Sequence, residues 1–129
     1  MKRYVSNVFA ATHTNENQVY GYYTLSASAI DLENLPRSIQ QRLPRYTSVP
    51  ATLLGRLAVD KDAQGQGLGT HMLASAVQRV IDSELAWAIF VIKAKDKNAA
   101  GFYQKFGFLP FESAPQLLWA SREELKIFM

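Results

Sequence analysis

The 129-residue chain contains no cysteine, which excludes disulfide bonds, a cysteine nucleophile and thiolate metal ligands. Its only histidines, His13 and His71, are far apart in the sequence and do not have the spacing of metal ligands, so we expect no metal. No apolar run reaches the length of a membrane span, and Met1 is not followed by the apolar core of a signal peptide. These absences, with a hydrophobic content of 48%, predict one packed cytoplasmic domain over residues 1–129.

Acidic residues are absent from residues 34–59, a segment that nevertheless carries several arginines. A second basic group follows later in the chain, and the formal net charge is +3. Such a distribution is compatible with a polyanionic partner, and equally with solvated charges that balance acidic residues elsewhere. The cations concerned are Arg37, Arg42, Arg45 and Arg56 in the first group, and Lys93, Lys95 and Lys97 in the second.

Glycine is scarce but clustered: three of the seven glycines are Gly65, Gly67 and Gly69. They follow an apolar, strand-like run over residues 53–59 and precede a predicted amphipathic helix over residues 68–84. Glycines let backbone N–H groups converge, and the first turn of a helix offers unpaired donors at the positive end of its dipole. The stretch therefore predicts a site for a phosphate or pyrophosphate, with an ordinary tight turn as the alternative.

Two common phosphate loops do not match this stretch. Gly69 and Thr70 are not preceded by the lysine of G-x-x-x-x-G-K-[ST], and the glycine spacing differs from G-x-G-x-x-G. The run does match Q/R-x-x-G-x-G/A, with Gln64, Gly67 and Gly69 in the fixed places. A second run from Asn98 contains the pair Phe102-Tyr103 on a predicted helix that Gly107 would end.

The two runs, in this order, resemble the two signatures of the GNAT family of N-acetyltransferases. The resemblance implies an α/β fold with a mixed central sheet, antiparallel N-terminal strands and helices on both faces. It also implies acetyl-CoA as cosubstrate. The cofactor-binding residues that it implies are Leu57, Ala58, Val59, Gln64, Gly65, Gln66, Gly67, Leu68, Gly69, Thr70, Asn98 and Phe102.

Tyr103 is the predicted catalytic residue, although an aromatic core residue is the alternative interpretation. A tyrosine with the ordinary pKa of about 10 is protonated at neutral pH, so it can donate its proton to the departing thiolate as a general acid. No residue stands out as a general base. An α-amino group of pKa about 8 loses its proton near neutral pH more readily than a lysine side chain does. The lack of a candidate general base therefore favours an α-amine as acceptor.

Residues 3–118 resemble more narrowly the bacterial acetyltransferase toxins of toxin–antitoxin pairs, which acetylate the α-amino group of aminoacyl-tRNA and inhibit translation. The runs that carry this resemblance include residues 21–27, 43–46, 49–51 and 54–60. It implies aminoacyl-tRNA as substrate, a ribbon-helix-helix antitoxin as partner and a homodimer. The residues expected to contact tRNA phosphates are Arg37, Arg42, Arg45 and Arg56.

One departure from the family concerns its first strand and helices, for which residues 1–3 leave no room, so we expect an N-terminally shortened domain. Two alternatives stay open. The chain could acetylate a small amine or a protein N-terminus, or it could be a truncated, non-catalytic module that binds coenzyme A or an antitoxin. An exposed first strand would also invite pairing with another chain.

The predicted elements begin with an antiparallel hairpin, and a later strand–helix–strand crossover predicts parallel pairing. Residues 44–50 are expected to be an irregular connection, and His71 a surface residue. Ser121 is a predicted helix N-cap. Strands are predicted over residues 3–12, 19–29, 53–59, 86–92 and 116–120 and from Phe108, helices over 68–84 and 96–106, and helical turns after Asp31 and over 36–43.

Overall fold

A single mixed β-sheet forms the centre of the computed structural model, which describes residues 7–12, 19–43, 48–61, 64–65, 67–83, 88–122 and 124–125. Within them the strands follow the order β1-β2-β3-β4-β6-β5. β3 and β4 are parallel and the other neighbours antiparallel, which confirms the predicted hairpin and crossover. The strands are β1 (Asn7–Thr12), β2 (Val19–Asp31), β3 (Ser48–Val59), β4 (Ile89–Lys93), β5 (Leu109–Pro110) and β6 (Leu117–Ser121).

Three α-helices lie in the described residues: α1 (Arg37–Gln40), α2 (Leu68–Ile81) and α3 (Lys97–Gln104). A 3-10 turn, Leu32–Asn34, follows Asp31 as predicted. The carboxylate of Asp96 accepts the Ala99 N–H at 2.8 Å and so caps α3. Gly107, with a φ of 94°, follows the end of that helix. Among these residues, no helix has the length and apolar character needed to cross a membrane.

Two hydrophobic clusters lie on opposite faces of the sheet, because successive side chains of a strand alternate. In β4, Phe90 and Ile92 pack with α2 and α3, whereas Ile89 and Val91 pack with Ile39 of α1. Helices therefore cover both faces, as expected. We call the two sides of the sheet the α2 face and the α1 face.

A β-bulge at Gly55 changes the direction of the side chains in β3. Leu54 pairs with Leu25 while Arg56 pairs with Thr24, so Gly55 is an extra residue. The Arg56 N–H is satisfied by the Thr24 hydroxyl at 3.0 Å. Because of the extra residue, Leu54 and Leu57 both pack in the cluster on the α2 face, although three positions separate them.

The structure corrects several predicted boundaries, and β2, for example, ends at Asp31 rather than at residue 29. β3 begins at Ser48, so the prediction that residues 48–50 are irregular is wrong. Pro50 is compatible with the strand because β4 begins only opposite Ala51, so no residue of β4 needs a hydrogen bond from the N–H that proline lacks. The Pro50 carbonyl accepts the Ala88 N–H at 2.9 Å. α2 ends at Ile81 rather than at residue 84, and β5 begins at Leu109 rather than at Phe108.

Candidate functional site

The glycine loop leads into α2 with open space beside Gly65 and Gly67. Gly65 and Gly67 have φ values of 82° and 76°, in the left-handed region that favours glycine, and a Cβ on either would meet no atom within 4 Å. Gly67 is the N-cap of α2 and supplies no side-chain hydrogen bond. The N–H groups of the first helical turn, at Leu68, Gly69 and Thr70, therefore remain available for an anion. Gln66 lies outside the described residues.

Gln64 joins this loop to the end of β3. Its side-chain amide donates a hydrogen bond to the carbonyl of Val59 at 3.2 Å. The contact closes the short loop between the strand and α2, so the fixed glutamine of the motif has a structural role in this chain.

Beyond Leu54, β3 is paired on one side only, because its pairing with β4 ends at Leu54–Ile92. The Asp60 N–H donates to the Tyr20 carbonyl of β2 at 2.8 Å. Since backbone groups alternate along an antiparallel pair, the Leu57 and Val59 N–H groups point away from β2, into the opening between β3 and β4. The same alternation directs the backbone of Ala58 towards β2. Of the three residues of β3 that are predicted to bind the cofactor, Leu57 and Val59 therefore have N–H groups that face the opening.

Helix α3 forms the other wall of a cleft on the α2 face. A Cβ built on Gly69 would lie 3.8 Å from Cζ of Phe102 and 3.9 Å from Cγ2 of Val59. Three predicted cofactor residues from β3, α2 and α3 thus meet at one place. Asn98 is exposed and lies one helical turn before Phe102, on the same side of α3.

Tyr103 lies next to Phe102, with 5.2 Å between the ring centroids, and is 4% exposed. Burial raises the pKa of Tyr103 to about 12, because the charged phenolate is disfavoured away from water. The hydroxyl has no hydrogen bond in the described part of the chain, and no fully buried side-chain polar atom there lacks a partner. The hydroxyl is therefore not fully buried, and its raised pKa keeps it protonated.

The structure separates the predicted substrate arginines. Arg56 is exposed beside the opening between β3 and β4, whereas Arg37 is exposed on α1 and Arg42 is exposed in the turn that follows this helix. Ile39 of that helix packs with Ala51, roughly 15 Å before Arg56 along the strand. Arg42 also donates to the Ser38 carbonyl at 3.4 Å. Arg45 lies outside the described residues.

Sequence reasoning missed the bulge at Gly55, which orients Arg56, and gave Lys93 no position relative to the opening. A glycine inside a strand pattern was the available signal for the bulge. In the described ranges, no group of three or more His, Asp or Glu side chains is placed to hold a metal ion.

Comparison with known sequences gives a family match over most of the chain. Residues 6–110 match the family model of the acetyltransferase (GNAT) domain. Over 95 residues the chain is 32% identical to a tRNA-acetylating toxin of Mycobacterium tuberculosis, which covers 72% of this chain. The match spans only 56% of that relative.

Solved structures share the arrangement. AtaT complexed with acetyl-methionyl-tRNAfMet superposes with a TM-score of 0.85 at 31% identity, covering 95% of this chain and 75% of AtaT. A mutant AtaT toxin bound to the C-terminus of the antitoxin AtaR and acetyl-CoA gives a TM-score of 0.77 at 25% identity, covering 95% and 72% of the two chains.

Proposed function

Because the chain belongs to the acetyltransferase (GNAT) domain family, we propose that it transfers an acetyl group from acetyl-CoA to the α-amino group of aminoacyl-tRNA. The observation that carries the first half of this proposal is the cleft in which Val59, Gly69 and Phe102 meet. The cleft has anion-binding backbone groups at one end and a protonated tyrosine in one wall. Acetyl-CoA matches this arrangement, because its anionic pyrophosphate suits the backbone groups and a long arm carries its reactive thioester to the tyrosine.

Each part of the cleft has a role in holding acetyl-CoA, which supplies the activated acetyl group when bound. The N–H groups of Leu68, Gly69 and Thr70 bind the pyrophosphate. The N–H groups of Leu57 and Val59 bind the pantetheine arm, and one of them polarises the thioester carbonyl. Asn98 lies on the side of α3 that lines the cleft and is available for a further polar contact.

Tyr103 acts as the general acid. Its raised pKa keeps the hydroxyl protonated throughout the physiological range, and among the residues that the structure describes no acceptor competes for the proton. A proton held at this oxygen is available to the departing sulfur. A thiolate that leaves in the same water-poor surroundings is more basic than in water, which favours its taking the proton.

The acceptor is assigned from the relatives and from charge. The M. tuberculosis relative is named a tRNA-acetylating toxin, and the AtaT structure contains acetyl-methionyl-tRNAfMet. The acid-free segment that carries Arg56 gives this chain cations for RNA phosphates. An α-amino group also reacts without a strong general base.

By the same comparison, we propose that the chain acts as the toxin of a toxin–antitoxin pair in the cytoplasm, inhibits translation and is bound by a ribbon-helix-helix antitoxin. The support is the AtaT structure with the antitoxin AtaR. A homodimer is part of the proposal by resemblance to these toxins.

The test follows labelled acetyl from acetyl-CoA to charged tRNA, with uncharged tRNA, small amines and peptide N-termini as other acceptors. The variant is Tyr103→Phe and the matched control is Tyr23→Phe. Tyr23 is also 4% exposed, but its hydroxyl is bonded to Ser75 at 3.0 Å and to Arg79 at 2.8 Å. We expect label on charged tRNA, a loss of roughly 100-fold or more in Tyr103→Phe, and activity per folded molecule retained in the control.

Other outcomes discriminate between the alternatives. Label on small amines or peptide N-termini alone would replace the acceptor and keep the enzyme class. Binding of acetyl-CoA with no transfer to any acceptor would overturn the catalytic proposal and support a non-catalytic binding module.

A further inference from the structure

Two cations flank the opening between β3 and β4. The last paired residues of these parallel strands are Leu54 and Ile92. Arg56 lies two residues beyond Leu54, about 7 Å along β3, and Lys93 immediately follows Ile92 in β4. One cation thus stands on each side of the place where the strands separate.

Both cations project from the α1 face. Leu57 packs in the cluster on the α2 face, so its neighbour Arg56 points to the opposite side. In β4, Ile92 belongs to the cluster on the α2 face and Val91 to that on the α1 face, so Lys93 continues the alternation towards the α1 face. The bulge at Gly55 is what gives Arg56 the same side as Lys93.

The acetyl-CoA cleft lies on the other side of the sheet. Gly69 of α2 and Phe102 of α3 both belong to elements that cover the α2 face. The opening therefore connects a cleft for the donor on one face with a cationic edge on the other. An acceptor can approach the thioester from the α1 face without displacing the cofactor.

The two side chains are available for a ligand. Both are exposed, and neither has a side-chain hydrogen bond or ion pair within the described ranges. No acidic residue occurs between residues 34 and 59 to neutralise Arg56 from its own strand. A guanidinium binds phosphate through two parallel N–H groups, and an ammonium binds it as a point charge, so the pair suits phosphodiester oxygens.

We propose that Arg56 and Lys93 bind the phosphates next to the terminal nucleotide of charged tRNA, so that its amino group enters the opening from the α1 face. This inference rests on the proposed function and specifies where its RNA substrate binds. It also makes Lys93, which the sequence placed in an unassigned basic group, a determinant of specificity for an RNA acceptor.

The experiment uses Arg56→Ala, Lys93→Ala and the double variant, with Lys105→Ala as the control. Lys105 is an exposed lysine at the C-terminal end of α3. Three quantities are measured: the affinity for uncharged tRNA at several salt concentrations, the KM for charged tRNA, and transfer to an aminoacyl-adenosine that has no phosphate. The affinity for acetyl-CoA shows whether the cleft is intact.

We expect each single variant to weaken tRNA binding roughly threefold and the double variant roughly tenfold at moderate salt. The slope of log K against log salt should become shallower by about one per cation removed. The KM for charged tRNA should rise in parallel. Transfer to aminoacyl-adenosine and acetyl-CoA affinity should change far less, and Lys105→Ala should match the wild type.

Equal losses on charged tRNA and aminoacyl-adenosine would overturn the proposal, because they would place the pair in the cofactor site or the fold. Unchanged tRNA affinity in the double variant would do the same, as would a wild type that binds no tRNA. Cation-dependent binding of uncharged tRNA without acetyl transfer would instead keep this surface and reject the proposed reaction.

Discussion

Gly69 and Phe102 face each other across a gap that admits one methyl group: a Cβ on Gly69 would stand 3.8 Å from Cζ of Phe102. The residues belong to different motifs, and 33 positions separate them in the chain. Their approach sets the width between the start of α2 and the side of α3. A gap of this width cannot admit the pantetheine arm, so the proposed cofactor passes beside this contact, next to the N–H groups of the first turn of α2, and a methyl group at Gly69 should affect binding more than folding.

Gly69→Ala should therefore separate stability from cofactor affinity. The added Cβ meets its neighbours at ordinary contact distances, and alanine favours a helix by up to about 1 kcal/mol over glycine, so the melting temperature should be unchanged or higher. The methyl group narrows the cleft, and we expect acetyl-CoA to bind roughly tenfold more weakly. Titration calorimetry and thermal unfolding measure the two effects.

Gly101→Ala is the matched control, since Gly101 also lies inside a helix, α3, but a Cβ there meets nothing within 4 Å. It should gain the same helical stability and keep the wild-type affinity. Equal affinities for both variants would show that the cofactor does not lie next to Gly69.

Gly67 should be sensitive to substitution because of its backbone conformation. With a φ of 76°, alanine at this N-cap costs about 1–2 kcal/mol, whereas asparagine tolerates the left-handed region better. We expect Gly67→Ala to lower the free energy of unfolding and weaken acetyl-CoA binding, and Gly67→Asn to recover part of both. Urea unfolding with and without acetyl-CoA provides the measurement. If Gly67→Ala and Gly67→Asn had similar free energies of unfolding and similar affinities for acetyl-CoA, the left-handed conformation of Gly67 would not be the cause of the losses.

Local signals predicted much of the fold. Asp96 and Gly107 mark the two ends of α3, and the apolar spacing of residues 68–81 gives the buried side of α2. Gly55 inside a strand pattern is a signal for a bulge, but the side-chain directions that the bulge sets depend on the register between β3 and β2, which the sequence does not give. Pro50 was taken to end regular structure, but its tolerance depends on where β4 begins.

The candidate site shows the same division. Which residues bind the cofactor stays a prediction. The sequence could not tell that Leu57 and Val59, but not Ala58, direct their backbone N–H groups into the opening, because strand pairing decides this. It also grouped Arg56 with Arg37 and Arg42, which precede it by fewer than twenty positions but lie on α1 and in the turn after it, towards the start of β3. Residues that are close in the sequence can lie at opposite ends of a strand, so their spacing does not show which of them is near the opening.

Arg79 links α2 to the first hairpin, and its loss should destabilise the fold. Its guanidinium lies 4.0 Å from the ring centroid of Phe9 and donates to the Tyr23 hydroxyl at 2.8 Å. A cation–π contact near the surface and one hydrogen bond together contribute about 1–2 kcal/mol, so Arg79→Met should lower the free energy of unfolding by that amount.

Gln78→Ala serves as the comparison for Arg79→Met. Gln78 is the neighbouring residue on α2 and makes an exposed hydrogen bond to Asp82 at 2.9 Å, which should contribute less than about 0.5 kcal/mol. Chemical denaturation of both variants tests the difference. Equal effects would mean that Arg79 does not hold the hairpin against the helix.

The pH dependence of acetyl transfer should have an acidic limb and no basic limb in the accessible range. The rate should rise as the acceptor's α-amino group loses its proton, with a midpoint near its pKa of about 8. Tyr103 must remain protonated to act as the acid, and burial places its pKa at about 12, so the rate should then stay level to at least pH 10. Single-turnover measurements limit hydrolysis of the aminoacyl ester.

The same shift has a consequence for stability that does not depend on catalysis. The pKa of Tyr103 is about 12 in the folded chain and about 10 when unfolded, so between these values the unfolded state releases a proton that the native state keeps. The stabilisation is complete below pH 10 and is lost as the pH rises towards 12. Tyr103→Phe should lack this contribution when denaturation is followed across that window. If instead the rate of acetyl transfer by the wild type falls at high pH with a midpoint near 9–10, burial does not hold Tyr103 in its protonated form.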